Sequence, residues 1–406
     1  MKTICFVVSS FPAVSETFVT NQILGAKRLG FNVCILTKRL LPLEESTQRD
    51  IIESYALLED TILLDYKIPK STFKRLFVGF YLILKYFKFW ISPVDISFRH
   101  RVLNWPYIIR FYKKLRHVDI FHAQFAMDGV AIAEMKANKL LQAKLITTFH
   151  GHDAHFKNDK DLIYLQNVYK TLFKVSNFVT VNTPYLENQV LELGCSKAIM
   201  HVIPMAIDVQ YFKPEQIKAL TVNQTVKLIS IGRLIEFKGF AYAIEAVKRL
   251  VTQGLAVNYT IVGDGVLFAE LQDQINALKL QNYITLVGKK SQEEIRSLLG
   301  DHHIYLMSSI TSAKGRCETQ GVVTAEAQAM GLPVVAFNTG GVPYTLLDGE
   351  TGILVAEKDV DACAQAILEM IRNPKRFQNM SHQAREFAVS NFSRKLMTER
   401  FKALYD

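Results

Sequence analysis

The sequence predicts an α/β protein made of two doubly wound, Rossmann-like parallel-sheet domains facing each other across a cleft. Short β-branched runs alternate with helix-like stretches along the chain, which implies parallel sheets covered on both faces. The alternation pauses after "VIPMAIDVQYFKPE" and restarts at "VKLISIG". Size agrees, because 406 residues exceed a single ordinary core at roughly 100 to 200 residues per domain.

The elements follow in order. "TICFVVSS" reads as a first buried strand, since its apolar run of about six residues is too short for a signal-peptide core. A helix over "SETFVTNQILGAKRLG" and a strand at "FNVCILT" come next, then strands at "VDIFHAQF", "KLITTFH" and "NFVTVNT". These define a domain over 1–203, with 204–221 as the linker. A second domain, 222–388, holds "VKLISIG", a helix from about Gly239 to Thr252, "NYTIVGDG", "ITLVG", "HIYLMS", a helix over Val322 to Met330, and "PVVAF". The last segment, 389–406, reads as a helix returning to the first domain. Open parallel sheets bind ligands beyond the carboxyl ends of their strands, so the functional residues belong there.

Five cysteines, none spaced C-x-x-C, argue against a disulfide framework or a zinc ribbon and fit a reducing cytoplasm. The net charge of +10 is concentrated: residues 66–117 carry twelve Lys/Arg and one acid, Asp95. The remainder therefore sums to −1. Within that window "FKRLFVGFYLILKYFKFW" mixes aromatics with lysines at helical spacing, and no run approaches the roughly 20 apolar residues of a membrane span. The favoured reading is a segment lying on an anionic membrane surface; a helix buried against its own domain is the alternative. Nucleic-acid binding is not expected, because no reader motif accompanies the charge.

The chemistry-bearing residues cluster at strand ends. Gly232 allows a tight exit from "ISIG", and Arg233 and Lys238 then bracket a helix start, a combination suited to a diphosphate. No G-x-x-x-x-G-K-[ST] is present, so a P-loop is excluded. In "ETQGVVTAEAQAMG", Glu318 stands in a loop and Gly321 at a helix start, with Glu326 about one and a half turns in. Amides around Gly321, Val322 and Val323 can cradle phosphate, Glu326 can accept from a vicinal diol, and Glu318 can reach a sugar. Standing alone, both glutamates would be read as helix-dipole partners and caps. "HGHDAH", with His150, His152, Asp153 and His155, matches no zinc signature.

Taken together, "GRLIEFKG", "IVGDG", "ITLVG", the paired glutamates running into "EAQAMGLPVVAFNTGGVP", and "DGETGILV" resemble retaining glycosyltransferases of family 4, which have the GT-B fold. "SSFPAVSETFVTNQI", "FHAQF" and "TTFHGHD" are similar to the bacterial exopolysaccharide and capsule branch. The resemblance implies that Arg233 and Lys238 bind the donor diphosphate with the amides of Gly321 to Val323. Glu326 would hold ribose and Glu318 the transferred sugar, with His150 near the anomeric carbon or a sugar hydroxyl. It places Gly263 and Gly288 at the donor, the latter in the "LVGKK" segment that meets the base. Asp153, Ser15 and Glu16 are expected on the acceptor side.

The implied reaction moves a hexose from a nucleoside-diphosphate sugar, UDP favoured over GDP, to a lipid-diphosphate-linked saccharide at the inner face of the cell membrane. Neither metal nor other cofactor is expected. A nucleotide-sugar epimerase and an inactive scaffold of a polysaccharide complex are the alternatives. The sequence departs from the family pattern at Thr319, where glycine is usual, and at Tyr344, where glutamate is usual.

Overall fold

A computed structural model describes residues 1–13, 17–46, 48–91, 96–221 and 224–406. It contains two parallel sheets and divides into two units, one of 1–181, 187–202 and 400–406, the other of 182–186 and 203–399.

The first unit holds β1 (Thr3–Phe11), β2 (Asn32–Leu40), β3 (Thr61–Leu63), β4 (Ile120–Ala123), β5 (Lys144–Thr148), β6 (Phe178–Val181) and β7 (Met200–Val202). Their order is β3-β2-β1-β4-β5-β6-β7, and every pairing is parallel. The chain reverses direction across the sheet beside β1, the kind of switch point where open α/β sheets place their sites.

The second unit holds β8 (Val226–Ile231), β9 (Val257–Val262), β10 (Ile284–Leu286), β11 (Ile304–Met307), β12 (Val334–Asn338) and β13 (Gly352–Ala356), in the order β10-β9-β8-β11-β12-β13. All its pairings are parallel as well. Period-two alternation sorts the side chains onto two faces. Leu228, Ile304, Leu306, Val335 and Phe337 join one apolar cluster, while Ile229, Ile231, Tyr305, Met307, Val334 and Ala336 join the other. Both faces are thus covered, and the strands at the middle of the sheet read as mostly apolar runs, "IYLM" in β11 and "VVAF" in β12. Helix Phe240–Thr252 buries Phe240, Ala243, Ile244, Val247 and Leu250, the i, i+3, i+4, i+7 spacing that gives a helix one apolar face.

Residues 204–221, read from sequence as the linker, belong to the second unit: Ile207, Val209 and Phe212 are buried in one of its clusters and Leu220 in the other. At the far end, helix Arg394–Tyr405 brings residues 400–406 into the first unit. Lys144 Nζ there donates to the Leu404 carbonyl at 2.8 Å.

Between β3 and β4 the basic segment folds into helices Thr72–Lys85, Phe87–Trp90, Phe98–Leu103 and Trp105–Lys114. Trp105–Lys114 buries Trp105, Tyr107, Ile109 and Tyr112, but Thr72–Lys85 buries only Gly79 and Leu82. Burial against its own domain therefore describes the fourth helix and not the first. Among the described residues no helix is long and apolar enough to cross a membrane.

Candidate active site

In the second unit the expected donor residues lie at carboxyl ends of strands. Gly232 leaves β8 and donates its amide to the Val262 carbonyl at the end of β9; Gly263 leaves β9 and donates to the Gly288 carbonyl. At Gly263 the approach is too close for a side chain: with a φ of +143°, a Cβ there would lie 1.8 Å from the Gly232 oxygen. Gly263 of "IVGDG" thus lets the ends of β8 and β9 meet, whereas Gly288 of "LVGKK" takes a φ of +71° with nothing within 4 Å of where a Cβ would sit. Beside these exits Arg233 is exposed, its guanidinium without a hydrogen-bond or ion-pair partner among the described residues.

Lys238 closes a short 3-10 turn, Glu236–Lys238, and Gly239 follows with a φ of +62°. A Cβ on Gly239 would overlap the Ser308 oxygen at 2.0 Å, so the turn after β8 is pressed against the end of β11. That approach carries the Lys238 ammonium across to the next strand-end loop, where Nζ lies 2.5 Å from Glu318 Oε2. Both side chains are largely buried, 16% and 15% exposed. Burial pushes the Glu318 carboxyl up. The Lys238 charge and hydrogen bond, with donation from the amides of Gly321 and Thr319, outweigh burial and hold it below the usual range. Sequence reading gave these two residues separate partners, a phosphate and a sugar; the fold makes them partners of each other across 80 positions.

The Gly321 amide, expected at phosphate, is engaged here by the Glu318 carboxylate. Gly321 is the N-cap of helix Val322–Ala329 in the left-handed conformation, φ +76°. Val322 and Val323 follow it ahead of the first turn bond, Thr324 N to Gly321 O at 2.9 Å, so their amides point out of the helix end. Glu326 is half-buried further along this helix, its carboxylate without a hydrogen-bonding partner among the described residues, and burial pushes that carboxyl up to about 7.

The loop carrying Glu318 is held from behind by residues that no motif distinguished. Gly341 N donates to the Glu318 carbonyl at 2.7 Å. A Cβ on Gly341 would stand 1.8 Å from the Thr319 oxygen, and one on Gly340 2.3 Å from the Glu318 oxygen. Thr183 Oγ1 donates to the Thr319 carbonyl at 2.7 Å, and Gln320 exchanges hydrogen bonds with the backbone of Met205 at 2.8 and 2.9 Å. Beside β13, Glu357 accepts from Thr311 N at 2.8 Å and Thr311 Oγ1 at 3.0 Å. Only the adjacency of "NTGG" to a strand end hinted at this support. Tyr344 is 45% exposed.

In the first unit His150 follows β5. Its ring lies between Phe18 and Phe125, at centroid distances of 4.4 and 4.9 Å, and Nε2 lies 3.4 Å from Gln124 Oε1. Gln124 Nε2 donates to Gln22 Oε1 at 2.9 Å. With the amide so oriented, the proton of the His150 contact belongs on Nε2. Burial lowers the His150 pKa to about 3, which keeps the imidazole neutral. Asp153, an expected acceptor-side contact, is 5% exposed and uses its carboxylate on the amides of Ala126, His150 and Gly151 at 2.9 to 3.1 Å. It thereby shapes the turn that presents His150. Ser15 and Glu16 lie outside the described residues. Among the described residues no group of three or more His, Cys, Asp and Glu side chains is placed to hold a metal ion.

Comparison with known proteins identifies the family. Residues 15–211 match the family model described as Glycosyltransferase Family 4, and residues 212–387 that described as Glycosyl transferases group 1. The chain is 32% identical over 372 residues to the amylovoran biosynthesis glycosyltransferase AmsK of Erwinia amylovora, covering 90% of this chain and 89% of the relative. It is 27% identical to the putative colanic acid biosynthesis glycosyltransferase WcaL of Salmonella typhimurium, over 99% and 98% of the two chains. In fold it is similar to Anabaena HepE, solved in complex with UDP, with a TM-score of 0.75 at 16% identity over 100% and 99% of the chains. A glycosyltransferase from Rickettsia africae superposes with a TM-score of 0.71 at 22% identity, over 100% and 97%.

Proposed function

The chain belongs to glycosyltransferase family 4, with the GT-B fold, and we propose that it transfers a hexose, with retention, from a nucleoside-diphosphate sugar to a saccharide acceptor in bacterial exopolysaccharide synthesis. The observation that carries this reading is the Lys238–Glu318 pair at the helix start of Gly321, on the sheet whose strand ends also carry the exposed Arg233 and whose next helix carries the unpartnered carboxylate of Glu326. A lysine held by a carboxylate, an exposed arginine, outward amides and an unpartnered carboxyl at the strand ends of one sheet suit a diphosphate flanked by a sugar and a ribose diol.

In this mechanism the bond between the anomeric carbon and the diphosphate oxygen breaks through an oxocarbenium-like transition state. The acceptor hydroxyl attacks from the leaving-group face, and its proton passes to the departing phosphate oxygen. Because the diphosphate is stable as an anion, the catalytic requirement is positive charge where its negative charge grows. Arg233, Lys238 and the amides of Val322 and Val323 supply it, so no metal is assigned. Glu318, ionised by its pairing, positions the sugar, and Glu326 accepts from the ribose hydroxyls. His150, neutral, is assigned to a hydroxyl of the donor sugar.

We assign UDP rather than GDP to the donor, a choice supported by the UDP in the HepE structure. The acceptor we assign is a lipid-diphosphate-linked saccharide, met at the inner face of the cell membrane through segment 66–117; the names of AmsK and WcaL support a polysaccharide role. A thermal-shift panel of UDP, GDP, ADP and their sugars tests the donor, since a ligand at 100 times its Kd stabilises by about 2.7 kcal/mol. Stabilisation by UDP and loss of that response in Arg233→Ala are expected. No response to any nucleoside diphosphate would sink the transferase reading and leave a scaffold. Conversion of the donor alone to its epimer would replace transfer by epimerisation.

A further inference from the structure

Helix Thr72–Lys85 faces the wrong way for a soluble domain. Phe73, Phe77, Phe80 and Leu84, spaced four, three and four apart, fall on one side of the helix, and are 83%, 75%, 64% and 62% exposed. Leu76, Tyr81, Phe87 and Ile91 widen the patch, each 47% exposed or more. Contiguous exposed apolar surface of this kind marks an interaction site.

The helix cannot roll to bury the stripe, because its other side is fastened. Leu82 is 3% exposed, and at Gly79 the neighbours are the Val102 carbonyl and the Tyr107 ring, 3.6 and 3.8 Å from where a Cβ would sit. Arg75 Nε donates to the Leu103 carbonyl at 3.1 Å, and Tyr107 Oη donates to the Arg75 carbonyl at 2.7 Å. Through Tyr107, itself fully buried, the helix is anchored to the first unit. The outward stripe is thus held in place by the fold.

Charge selects the occupant. Residues 66–91 contain six Lys/Arg, namely Lys67, Lys70, Lys74, Arg75, Lys85 and Lys88, and no Asp or Glu. Lys67 is paired with Asp65 at 2.6 Å, so a second copy of the chain would bring the other five cations against five, which like-charge repulsion opposes. An anionic bilayer instead offers phosphates to the lysines and acyl chains to the rings. At 14 residues the helix is about 21 Å long, enough to lie in the interface and too short to span it. We propose that helix Thr72–Lys85 seats the protein on an anionic membrane by inserting Phe73, Phe77, Phe80 and Leu84 among the acyl chains, with Lys70, Lys74, Lys85 and Lys88 on the lipid phosphates. This deepens the membrane contact in the proposed function by naming its surface; it rests on that reading only for the purpose the contact serves.

The test is sedimentation of the full chain with phosphatidylglycerol/phosphatidylethanolamine vesicles and with phosphatidylcholine vesicles, with no donor or acceptor present. Binding to the anionic vesicles that weakens with salt is expected, falling about fivefold for each lysine removed in Lys74→Gln and Lys88→Gln. The Phe77→Ser/Phe80→Ser double variant should lose binding by tenfold or more, as buried apolar area is withdrawn, while its UDP-induced thermal shift stays that of the wild type. Tryptophan placed by Phe77→Trp should shift to the blue and be quenched by brominated acyl chains. Wild-type protein that ignores anionic vesicles at low salt would overturn the proposal. So would a serine double variant that binds as well as wild type, or a wild-type dimer that this variant dissolves. A protein that binds vesicles but no nucleotide would defeat the transferase reading and leave the seating face standing.

Discussion

Removing the Lys238 ammonium separates two roles that the structure superimposes on it, support of a buried carboxylate and stabilisation of a leaving group. In Lys238→Ala, Glu318 keeps its burial, 15% exposed, and loses the charge that opposes burial, so its pKa rises. Breaking one side of a buried pair costs about 3 to 5 kcal/mol; with residual exposure on both partners, about 3 kcal/mol is the working figure. For a unit of some 200 residues that is a fall in midpoint of roughly 6 to 12 °C, at about 2 to 4 °C per kcal/mol. The effect depends on pH. The folded pKa of Glu318 is depressed, so the pair's stabilisation is present above the unfolded carboxylate value and is lost as pH falls through the folded one. The wild-type-to-variant gap in midpoint should therefore be full at neutral pH and close in acid. Replacing both partners, Lys238→Met with Glu318→Gln, removes the unpaired charge and should recover most of the midpoint at pH 7. Turnover should not recover, because the charge facing the diphosphate is gone, a loss on the order of 10²- to 10³-fold. Calorimetry and release of nucleoside diphosphate, measured on the single and double variants, decide the matter. A double variant that regains turnover with its stability would refute the catalytic role and leave Lys238 as a structural partner of Glu318.

Four further outcomes are expected. Glu326, raised to about 7, stabilises the free protein below the unfolded carboxylate value and loses that contribution as pH rises through 7; its ionised form is the better acceptor for a diol. UDP affinity measured by calorimetry should accordingly rise between pH 6 and 8 in the wild type relative to Glu326→Gln, and parallel profiles would remove Glu326 from the ribose. His122, fully buried on β4 with Nδ1 2.8 Å from Tyr405 Oη and Nε2 2.7 Å from Thr148 Oγ1, and His150 are both lowered to about 3 by burial. Stability they contribute above about 6.5 should fall in acid with a slope approaching 2.7 kcal/mol per pH unit for two protons, and His122→Asn should reduce that slope in urea titrations. Gly341→Ala forces a Cβ to within 1.8 Å of the Thr319 oxygen; displacing the Glu318 loop should cost turnover on the order of 10²-fold, with UDP protection weakened, and a variant of normal turnover would show that the loop yields freely. Gly288→Ala meets nothing within 4 Å but must hold a φ of +71°, so a loss of about 1 kcal/mol or somewhat more is expected in thermal melts, without abolition of nucleotide binding.

What could be read beforehand follows from how each feature is encoded. The strands of both sheets were legible because a parallel strand covered on both faces is an apolar run, and "VKLISIG" or "PVVAF" contains little else. Thr61–Leu63 and Met200–Val202 were not, since these edge strands are three residues long and only partly buried; Ile284–Leu286, equally short, was legible through the glycine turn that follows it. The glycines at strand ends were legible as turns, and their purpose became visible only as contacts: Gly263 against Gly232, Gly239 against Ser308, Gly341 against Thr319. The same division runs through the site. Arg233, Lys238, Glu318 and Glu326 were found by residue type near helix starts, a local property. The Lys238–Glu318 bond is not local, since it depends on β8 and β11 being neighbours and on Gly239 letting their ends touch. Thr319, which departs from the family's glycine, sits where the backbone matters more than the side chain: its carbonyl receives Thr183 Oγ1, and Gly341 packs beneath it. A residue with a Cβ is accommodated there because the close approach is made from the Gly341 side, and the Glu318 carboxylate still receives the amides of Thr319 and Gly321 and the Lys238 ammonium.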